Sequence, residues 1–179
     1  MSDDLIKRNF YVDGINKLWV SDLTYIPTDE GWCYLVSIMD AYSRRILGYK
    51  VSDTMETKSF IDALTQAKAT RMRTILPSVI FHSDHGSQYT SEDFREILRI
   101  SKMAQSMGKV GTSYDNAMAE SLWASLKKEL IYQARFKTRE EAKTKIFDWI
   151  HWYNHKRIHS SINYLSPIAF EALADARVA

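Results

Sequence analysis

The first third of the chain carries three neighbouring segments rich in aromatic and β-branched residues, and their order restricts the fold more than any other feature. They are LWVSDLTYI at residues 18–26, WCYLVSIMDAY at residues 32–42 and RRILGYKV at residues 44–51. Segments of this composition predict β-strands, and connections this short place consecutive strands antiparallel. The sheet is therefore expected to begin as a three-stranded antiparallel meander.

The segment after the meander changes from strand-like to helical periodicity. METKSFIDALTQAKATR, at residues 55–71, repeats apolar residues at the spacing of an amphipathic helix. Pro77 follows it, and SVIFHSD at residues 78–84 is a short apolar run of the kind that needs cover on both faces. Because a strand that returns to a sheet after a helical crossover pairs in parallel, the predicted sheet is mixed.

The second half predicts further helices around one more short strand. TSEDFREILRI has a helical apolar face behind a capping pattern at Thr90, and KMAQSM predicts an edge strand. KVGTSYDN predicts a loop, DNAMAESLWASLKKELI a helix, and TREEAKTKIFDWIHWYNHKRI a helix that opens with a capping box of Thr138 and Glu141. We expect an α/β fold with a five-stranded mixed sheet flanked by helices, and a C-terminal tail packed on its surface.

Composition limits the class of protein. The 179 residues, 45% hydrophobic and 26% charged, suit one folded domain. No apolar run approaches the roughly 18 residues that span a bilayer, and the N-terminus lacks a secretory signal, so we expect a cytosolic protein without membrane contact. Cys33 is the single cysteine, which excludes an internal disulfide and a cysteine-based zinc site. A nucleotide-binding enzyme is poorly supported, since no glycine-rich phosphate loop follows a predicted strand.

Positive charge is concentrated in the last third of the chain. The formal net charge is only +2, yet residues 121–179 hold 10 Lys and Arg against 6 Asp and Glu, whereas residues 1–60 hold 7 against 9. Such a region can attract a polyanion, and it is equally consistent with solvated helix faces. Charge alone leaves both interpretations open.

Three acidic residues occupy suggestive positions. Asp22 lies within the first strand, Asp84 at the end of the strand after the crossover, and Glu120 near the start of a later helix. A buried carboxylate needs a positive partner, because its desolvation is costly. For Asp22 alone, an Arg or Lys in a structural salt bridge is the simpler partner. The alternative is a pair of Mg²⁺ ions, which take oxygen ligands and serve in-line phosphoryl displacement.

Five motifs carry a resemblance to a known family: WVSDLTYI, GWCYLVSIMDAYSRRILGY, HSDHGSQYTS, GTSYDNAMAESLWASLKKEL and YNHKRIHSSINYLSP. In this order they resemble the catalytic domain of bacterial insertion-sequence DDE transposases, part of the retroviral-integrase-like superfamily. The resemblance runs from about Leu18 to Phe170. The 35 residues between Asp84 and Glu120 match the separation that is typical of that family's Asp, Asp, Glu triad.

The resemblance implies a ribonuclease-H-like fold in which Asp22, Asp84 and Glu120 form a catalytic, metal-binding triad. The first strand and the strand ending at Asp84 would be parallel neighbours, and Glu120 would come from a helix. Two Mg²⁺ or Mn²⁺ ions are the implied cofactors. The implied reactions are cleavage of a DNA strand at the element's end, which frees a 3′-hydroxyl, and transfer of that hydroxyl into target DNA. We assign no protein general base.

Residues beside the triad are candidates for contacting DNA. Lys127 lies seven residues, or about two helical turns, beyond Glu120 and therefore faces the same way. The remaining candidates are His85, Gln88, Asn116, Lys156 and Arg157. Asn116 has two structural alternatives, because it could instead cap its helix or orient Glu120. The basic segment YNHKRIHSS could hold a second subunit instead of DNA.

Asp40, at the end of the second strand, resembles an acid often found in the family outside the triad. We interpret it as structural and expect it to bind Arg44 or Arg45. The predicted division of the chain is an N-terminal extension (residues 1–17), an integrase-like core (18–158) and a C-terminal tail (159–179).

Two other functions stay open beside transposition. A ribonuclease-H-like nuclease would cut DNA without joining it, although such enzymes generally show a different acid pattern. A domesticated DNA-binding domain would not cut at all. Transposases of this kind usually read their terminal repeats with an upstream helix-turn-helix region. We therefore expect a catalytic domain alone, which discriminates poorly between DNA sequences and whose recognition region is separate or missing. The oligomeric state, including a homo-oligomer, stays open.

Overall fold

The fold is one β-sheet between two groups of helices. The computed structural model describes residues 3–108 and 116–178, so most of the predicted KVGTSYDN loop lies outside the described residues. The strands are β1 (Leu18–Thr28), β2 (Gly31–Asp40), β3 (Ile46–Ser52), β4 (Ile80–Ser83) and β5 (Ala104–Met107). The helices are α1 (Thr57–Thr70), α2 (Ser87–Thr90), α3 (Glu92–Ile100), α4 (Ala117–Glu129), α5 (Arg139–His155) and α6 (Pro167–Val178).

The sheet has five strands in the order β3-β2-β1-β4-β5. Strands β1, β2 and β3 pair antiparallel, whereas β4 pairs in parallel with both β1 and β5. The predicted meander, the parallel return after α1 and the short edge strand are therefore confirmed. Strand β1, which carries Asp22, is the central strand of the sheet.

Alternation along β1 sends its side chains into two separate cores. Leu18, Val20 and Ile26 join the core beneath α4 and α5, while Trp19 joins the core beneath α1 and α3. Apolar residues therefore cover both faces of the central strand. Asp22 follows the same alternation as Val20, which places it on the face toward α4.

Strand β3 and helix α1 approach each other closely at a glycine. A Cβ atom at Gly48 would overlap the carbonyl oxygen of Ala63 and lie 2.7 Å from the backbone nitrogen of Ala67. Helix α1 presents alanines at these two positions, so its backbone can rest directly on the strand. The absence of a side chain at Gly48 is thus a condition for this packing.

The start of α3 was predicted one residue too early. Helix α3 is capped by Ser91, whose hydroxyl accepts a hydrogen bond from the Phe94 backbone N–H at 3.3 Å, and not by Thr90. The reason is the short helix α2, which the sequence did not predict and which ends at Thr90. The predicted cap of α5 is confirmed, because Thr138 accepts from the Glu141 N–H at 3.1 Å.

The C-terminal segment, predicted as a surface tail, contains helix α6 and a buried acid. Glu171 accepts a hydrogen bond from the Ser43 hydroxyl at 2.6 Å, and forms ion pairs with Arg71 at 2.6 Å and Arg45 at 2.7 Å. Its side chain is only 7% exposed. These bonds anchor α6 to the turn between β2 and β3 and to the end of α1.

Asp40 has a structural role, but its predicted partners were wrong. Its carboxylate pairs with Arg71 at 2.9 Å, not with Arg44 or Arg45. Arg71 lies just after α1, far from Asp40 in sequence, so only the folded arrangement brings the two together. Arg45 instead forms an ion pair with Glu171.

The N-terminal segment packs against the sheet. The Leu5 backbone N–H donates to the Ser106 hydroxyl at 3.0 Å, and the Asn16 N–H donates to Asp40 Oδ2 at 2.8 Å. Ile6 is buried in the core beneath α4 and α5. Within the described ranges, none of the helices combines the length and apolar character that crossing a membrane requires.

Candidate active site

Asp22 lies on β1, on the face that packs against α4. The indole N–H of Trp123, in α4, donates a hydrogen bond to Asp22 Oδ2 at 3.0 Å. A buried indole needs an acceptor, so this bond serves both side chains. One oxygen of Asp22 is thereby held in place by the helix that also carries Glu120.

Asp84 directly follows the last residue of β4. The parallel register aligns Val20 with His82, and two residues farther along the chain come Asp22 and Asp84. Since side chains alternate with a period of two and neighbouring strands lie about 4.8 Å apart, this register brings the two acids together on one face. Asp84 Oδ1 accepts the Gly86 N–H at 2.9 Å, which fixes the turn after the strand.

Glu120 lies in the first turn of α4 and is exposed. Its carboxylate makes no hydrogen bond or ion pair with any residue of the described ranges. A negative charge in the first helical turn is favoured by the helix dipole. Glu120 is therefore a carboxyl group without a partner among the described residues.

The charges of Asp84 and Glu120 act on Asp22. The pKa of Asp22 is raised from 3.8 to about 6, mainly by burial; hydrogen bonds from the Leu23 N–H and from Trp123 oppose this rise, and the charges of Asp84 and Glu120 add to it. Both other acids must therefore lie near Asp22. In the described part of the chain, no Lys or Arg forms an ion pair with any of the three, so a structural salt bridge does not account for Asp22.

The donor set suits a hard divalent cation. Three carboxylates from three different elements offer only oxygen ligands, and their charge is uncompensated. Across residues 3–108 and 116–178, however, no three His, Cys, Asp or Glu side chains stand close enough together to hold an ion. The acids thus face one region without being closed into a ligand cage.

Ser21, the neighbour of Asp22, connects the elements that carry the acids. Its hydroxyl shares a 2.7 Å hydrogen bond with the buried hydroxyl of Tyr89, in the helix that follows Asp84. Its carbonyl oxygen accepts a hydrogen bond from Asn116 Nδ2 at 2.9 Å, at the start of α4. Ser21 therefore ties β1 to both α2 and α4 at the level of the acids.

Sequence reasoning missed Ser21, Tyr89 and Trp123. The available signals were a serine inside an apolar strand, an aromatic hydroxyl five residues after Asp84, and a tryptophan three residues after Glu120. Residues three apart on a helix are neighbours on its surface, so Trp123 could have been placed near the triad. The bond between Ser21 and Tyr89 joins distant segments and has no local signature.

The predicted contact residues near Asp84 and at the start of α4 are His85, Gln88 and Asn116. His85 is partly buried, and Gln88 Nε2 donates to the Met55 carbonyl oxygen at 3.0 Å. Asn116 precedes α4 but makes no side-chain cap, so the capping alternative is wrong. Its side-chain amide donates a hydrogen bond to the Ser21 carbonyl oxygen instead.

The predicted basic contact residues differ in whether they already form an ion pair within the chain. Lys127 is partly buried on α4 and Lys156 is exposed after α5, and neither forms an ion pair with a described residue. Arg157 is already engaged, since its guanidinium pairs with Glu129 at 2.7 Å and lies 5.8 Å from the centre of the Tyr153 ring. Its role in contacting DNA stays a prediction, as do those of the two lysines.

Comparison with known proteins places this architecture in a family. Residues 13–113 match a family model described as Integrase core domain, and residues 101–167 match a second model of that description. The chain is 44% identical to the transposase for insertion sequence element IS904 of Lactococcus lactis subsp. lactis, with 94% of this chain and 66% of that protein covered. It is 41% identical to the putative transposase for IS986/IS6110 of Mycobacterium tuberculosis, with 94% and 62% covered. The chain thus spans less than two thirds of the length of these curated relatives.

The fold also matches a solved structure, the catalytic core domain of HTLV-2 integrase in complex with magnesium. The TM-score is 0.67 at 14% sequence identity, with 87% of this chain and 96% of that chain covered. At this identity the likeness concerns the fold alone, and it confirms the predicted ribonuclease-H-like fold. The chain is thus similar to part of the length of bacterial insertion-sequence transposases, and it belongs to the integrase core domain family.

Proposed function

We propose that this chain is the catalytic domain of a DDE transposase, which cleaves a DNA strand at an element's end and joins the freed 3′-hydroxyl to target DNA. One observation carries the proposal. Asp84 and Glu120 both lie near enough to Asp22 for their charges to raise its pKa, and no Lys or Arg of the described residues forms an ion pair with any of the three acids. Membership of the integrase core domain family supports the class of reaction.

Asp22, Asp84 and Glu120 would hold two Mg²⁺ or Mn²⁺ ions. When bound, these ions would supply the positive charge that stabilises the attacking and departing oxygens of an in-line phosphoryl displacement. The three carboxylates would lose their mutual repulsion on binding and could approach one another. This accounts for acids that face one region without forming a closed cage.

Two of the carboxylates are oriented by hydrogen bonds from neighbouring groups. Trp123 holds Asp22 Oδ2, and the backbone N–H of Gly86 holds Asp84 Oδ1. Glu120 keeps its freedom in the first turn of α4. No side chain of the chain is assigned as a general base, because both displacement steps would use the same two-metal geometry.

The two proposed steps are chemically matched. Cleavage breaks the bond between phosphorus and the 3′-oxygen at the element's end; water supplies the new oxygen on phosphorus, and the departing oxygen takes a proton to become a hydroxyl. In joining, this hydroxyl attacks a target phosphodiester and loses its proton, while the target's own 3′-oxygen departs. Each step exchanges one phosphorus–oxygen bond for another.

We place the DNA along the exposed face of α4. Lys127 would contact a phosphate beside the acids, since it lies about two turns beyond Glu120 and has no partner among the described residues. The other proposed contacts are His85, Gln88, Asn116, Lys156 and Arg157. We further propose that the chain acts at the bacterial nucleoid, together with a separate helix-turn-helix region and as a homo-oligomer on paired ends.

The decisive experiment compares strand cleavage and joining on a labelled DNA end, with Mg²⁺ or Mn²⁺, for this chain and for Asp84→Asn. We expect the substitution to reduce both reactions to background while DNA binding is kept. Asp148→Asn is the matched control, because Asp148 is an exposed acid of α5, a helix that carries none of the three triad residues. Its activity should equal that of the unmodified chain.

Other outcomes of the same assay point to the alternative functions. Cutting without joining, even of ends supplied with a free 3′-hydroxyl, would identify a ribonuclease-H-like nuclease. Binding without cutting in the unmodified chain would identify a non-catalytic DNA-binding domain. Equal activity in Asp84→Asn would remove the triad from the mechanism.

A further inference from the structure

A polar cleft of 350 Å³ lies beside α4, and we call it the Arg44 cleft. Its lining includes two arginines, a histidine and several serines: Arg44, Ser121, Ser125, Arg157, His159 and Ser160. Residues two apart on a helix point in nearly opposite directions, so Ser121 and Ser125 face away from Trp123 and from Asp22. The Arg44 cleft is therefore separate from the region of the acids, although Ser121 directly follows Glu120.

Arg44 supplies the unneutralised charge of the cleft. It lies in the turn between β2 and β3, where its backbone N–H donates to the Asp40 carbonyl oxygen at 2.9 Å. Its φ of 61° is in the left-handed region, where a non-glycine residue costs roughly 1 kcal/mol or more. No carboxylate of the described residues pairs with its guanidinium. The turn thus holds an arginine where glycine would be less strained, with the charge directed at the cleft.

The second arginine is held in a fixed position and adds little net charge. Arg157 pairs with Glu129 at 2.7 Å, and Glu129 also accepts the Trp149 indole N–H at 3.2 Å. Arg157 Nη1 lies 3.0 Å from His159 Nδ1. Burial and the charges of Arg157 and Arg44 lower the pKa of His159 to about 4, so this histidine is neutral at pH 7. Arg44 therefore sets the net charge of the cleft.

The serines complete a set of donors for an anion. Ser121 and Ser125 lie one helical turn, about 6 Å, apart on α4. The Ser125 hydroxyl also lies 3.3 Å from Arg157 Nη2, which connects it to the fixed guanidinium. Arginine and hydroxyl groups are common donors to phosphate oxygens in protein–DNA contacts. The cleft thus offers the chemistry of a phosphate site.

We propose that the Arg44 cleft binds a backbone phosphate of the DNA whose strand reaches the acids, an inference that rests on the proposed function. Arg44 would contact the phosphate, with Ser121 and Ser125 as hydroxyl donors. Because Ser121 adjoins Glu120, one DNA molecule can reach both places along α4. The cleft would position the DNA and would not take part in the chemistry.

The test is the salt dependence of DNA binding, measured in EDTA so that no cleavage occurs. Each phosphate contact contributes a slope of about 0.9 to the plot of log affinity against log salt. Arg44→Asn should lower the slope by about 1 and weaken binding roughly 3- to 10-fold at low salt. Asparagine tolerates the left-handed backbone, and Arg44→Gly is a second variant that relaxes the turn. Arg44→Lys should keep the slope.

Lys145→Gln is the matched control, since it removes one exposed positive charge of α5 outside the cleft. Its slope should not change. An unchanged slope in Arg44→Asn and Arg44→Gly, or an equal loss in Lys145→Gln, would overturn the proposal. A changed molecular mass in light scattering with an unchanged slope would assign the cleft to a subunit contact and would also overturn it.

Two further comparisons separate the possible sources and failures. The first comparison adds millimolar inorganic phosphate and measures the temperature of unfolding. If phosphate protects the chain only when Arg44 is present, and Arg44 has no effect on the salt slope of DNA binding, the cleft binds free phosphate and the DNA site is overturned. An Arg44-dependent slope in a chain that does not cleave DNA would keep the cleft and remove the proposed activity. DNA cleavage together with a salt slope that does not depend on Arg44 would keep the proposed activity and remove the proposed phosphate site in the cleft.

Discussion

Asp22 keeps a carboxylate on a strand face whose preceding residues, Leu18 and Val20, are buried. The hydrogen bond from Trp123 offsets only part of the desolvation, and the charges of Asp84 and Glu120 add repulsion. A side chain in this situation opposes folding when it is ionised. The loss of folding free energy is small only if a cation binds beside the carboxylate, so Asp22 itself suggests a binding site.

The first residue-scale prediction concerns Asp22→Asn in the absence of divalent cations. The Asp22 pKa rises from 3.8 to about 6 on folding, so between these pH values the folded chain binds more protons than the unfolded chain. Stability is therefore lost as pH rises through this window. At pH 8 the variant should be more stable than the unmodified chain by on the order of 2–3 kcal/mol, and below pH 4 the difference should vanish. Urea unfolding at several pH values measures this.

Asp148→Asn serves again as the control, and its effect should not depend on pH in this way. Mg²⁺ should raise the unfolding temperature of the unmodified chain, because a ligand of the folded state stabilises it. The same addition should raise that of Asp22→Asn much less. A pH-independent difference between Asp22→Asn and the unmodified chain would contradict the electrostatic account.

At the scale of elements, the contact of β3 with α1 decides how closely a helical layer can lie on the sheet. Gly48 makes this approach possible, and α1 has the small residues Ala63 and Ala67 at the contact. Phe60 and Leu64 of the same helix then reach the core behind the central strand. The position of α1 matters for the candidate site, because the Met55 carbonyl just before it is bonded to Gln88.

Gly48→Ala should destabilise the fold by about 1–3 kcal/mol, since the added methyl group must push α1 away from β3. Gly14→Ala is the matched control, because nothing lies within 4 Å of the added atom there. Its stability should be nearly unchanged. Thermal or urea unfolding of both variants measures the difference. Equal stability of the two would mean that α1 can shift freely on the sheet.

Element types were largely predictable, whereas their exact ends were not. The meander, α1 and β4 follow from periodicities that extend over several residues, which local sequence reveals. The cap at Ser91 depends on the one-turn helix α2, whose main support is Tyr89, packed in the core behind β4. That packing joins distant segments, so it could not be read from TSEDFREILRI alone.

At the scale of the molecule, a buried ion cluster joins the C-terminal helix to the first half of the chain. Arg71 after α1 pairs with Asp40 at the end of β2 and with Glu171 in α6. Burial raises the pKa of Asp40. Burial acts in the same direction on Glu171, but hydrogen bonds from Arg71, Ser43 and Arg45 outweigh it and lower its pKa. The cluster therefore depends on the arginine between the two acids.

Arg71→Met should destabilise the chain by about 3–5 kcal/mol at pH 8, because it leaves two buried carboxylates without their main partner. The loss should shrink toward pH 5, since both carboxyl groups can then be protonated. Arg99→Met is the control, as Arg99 belongs to an exposed pair with Glu96 and should matter little. Urea unfolding at both pH values measures the effect; a loss that is the same at each would contradict the account.

The whole-molecule arrangement was only partly predictable. The parallel pairing of β4 with β1, which brings Asp84 beside Asp22, follows from the helical crossover between them. The bonds of Arg71 to Asp40 and Glu171 span 31 and 100 residues, and Arg45 was an equally reasonable partner in sequence. The assignment of the triad came from motif spacing and resemblance, and its catalytic role stays a prediction.

Ser21 also has a consequence for motion. Its hydroxyl is bonded to Tyr89 in one helical layer, and its carbonyl oxygen to Asn116 at the edge of the other. Any sliding of these layers past each other would have to break one of the two bonds, directly beside Asp22. Rearrangements that admit the proposed DNA substrate are therefore expected to pivot about Ser21, so that the two helical layers can adapt to different strands while Asp22 keeps its place on β1.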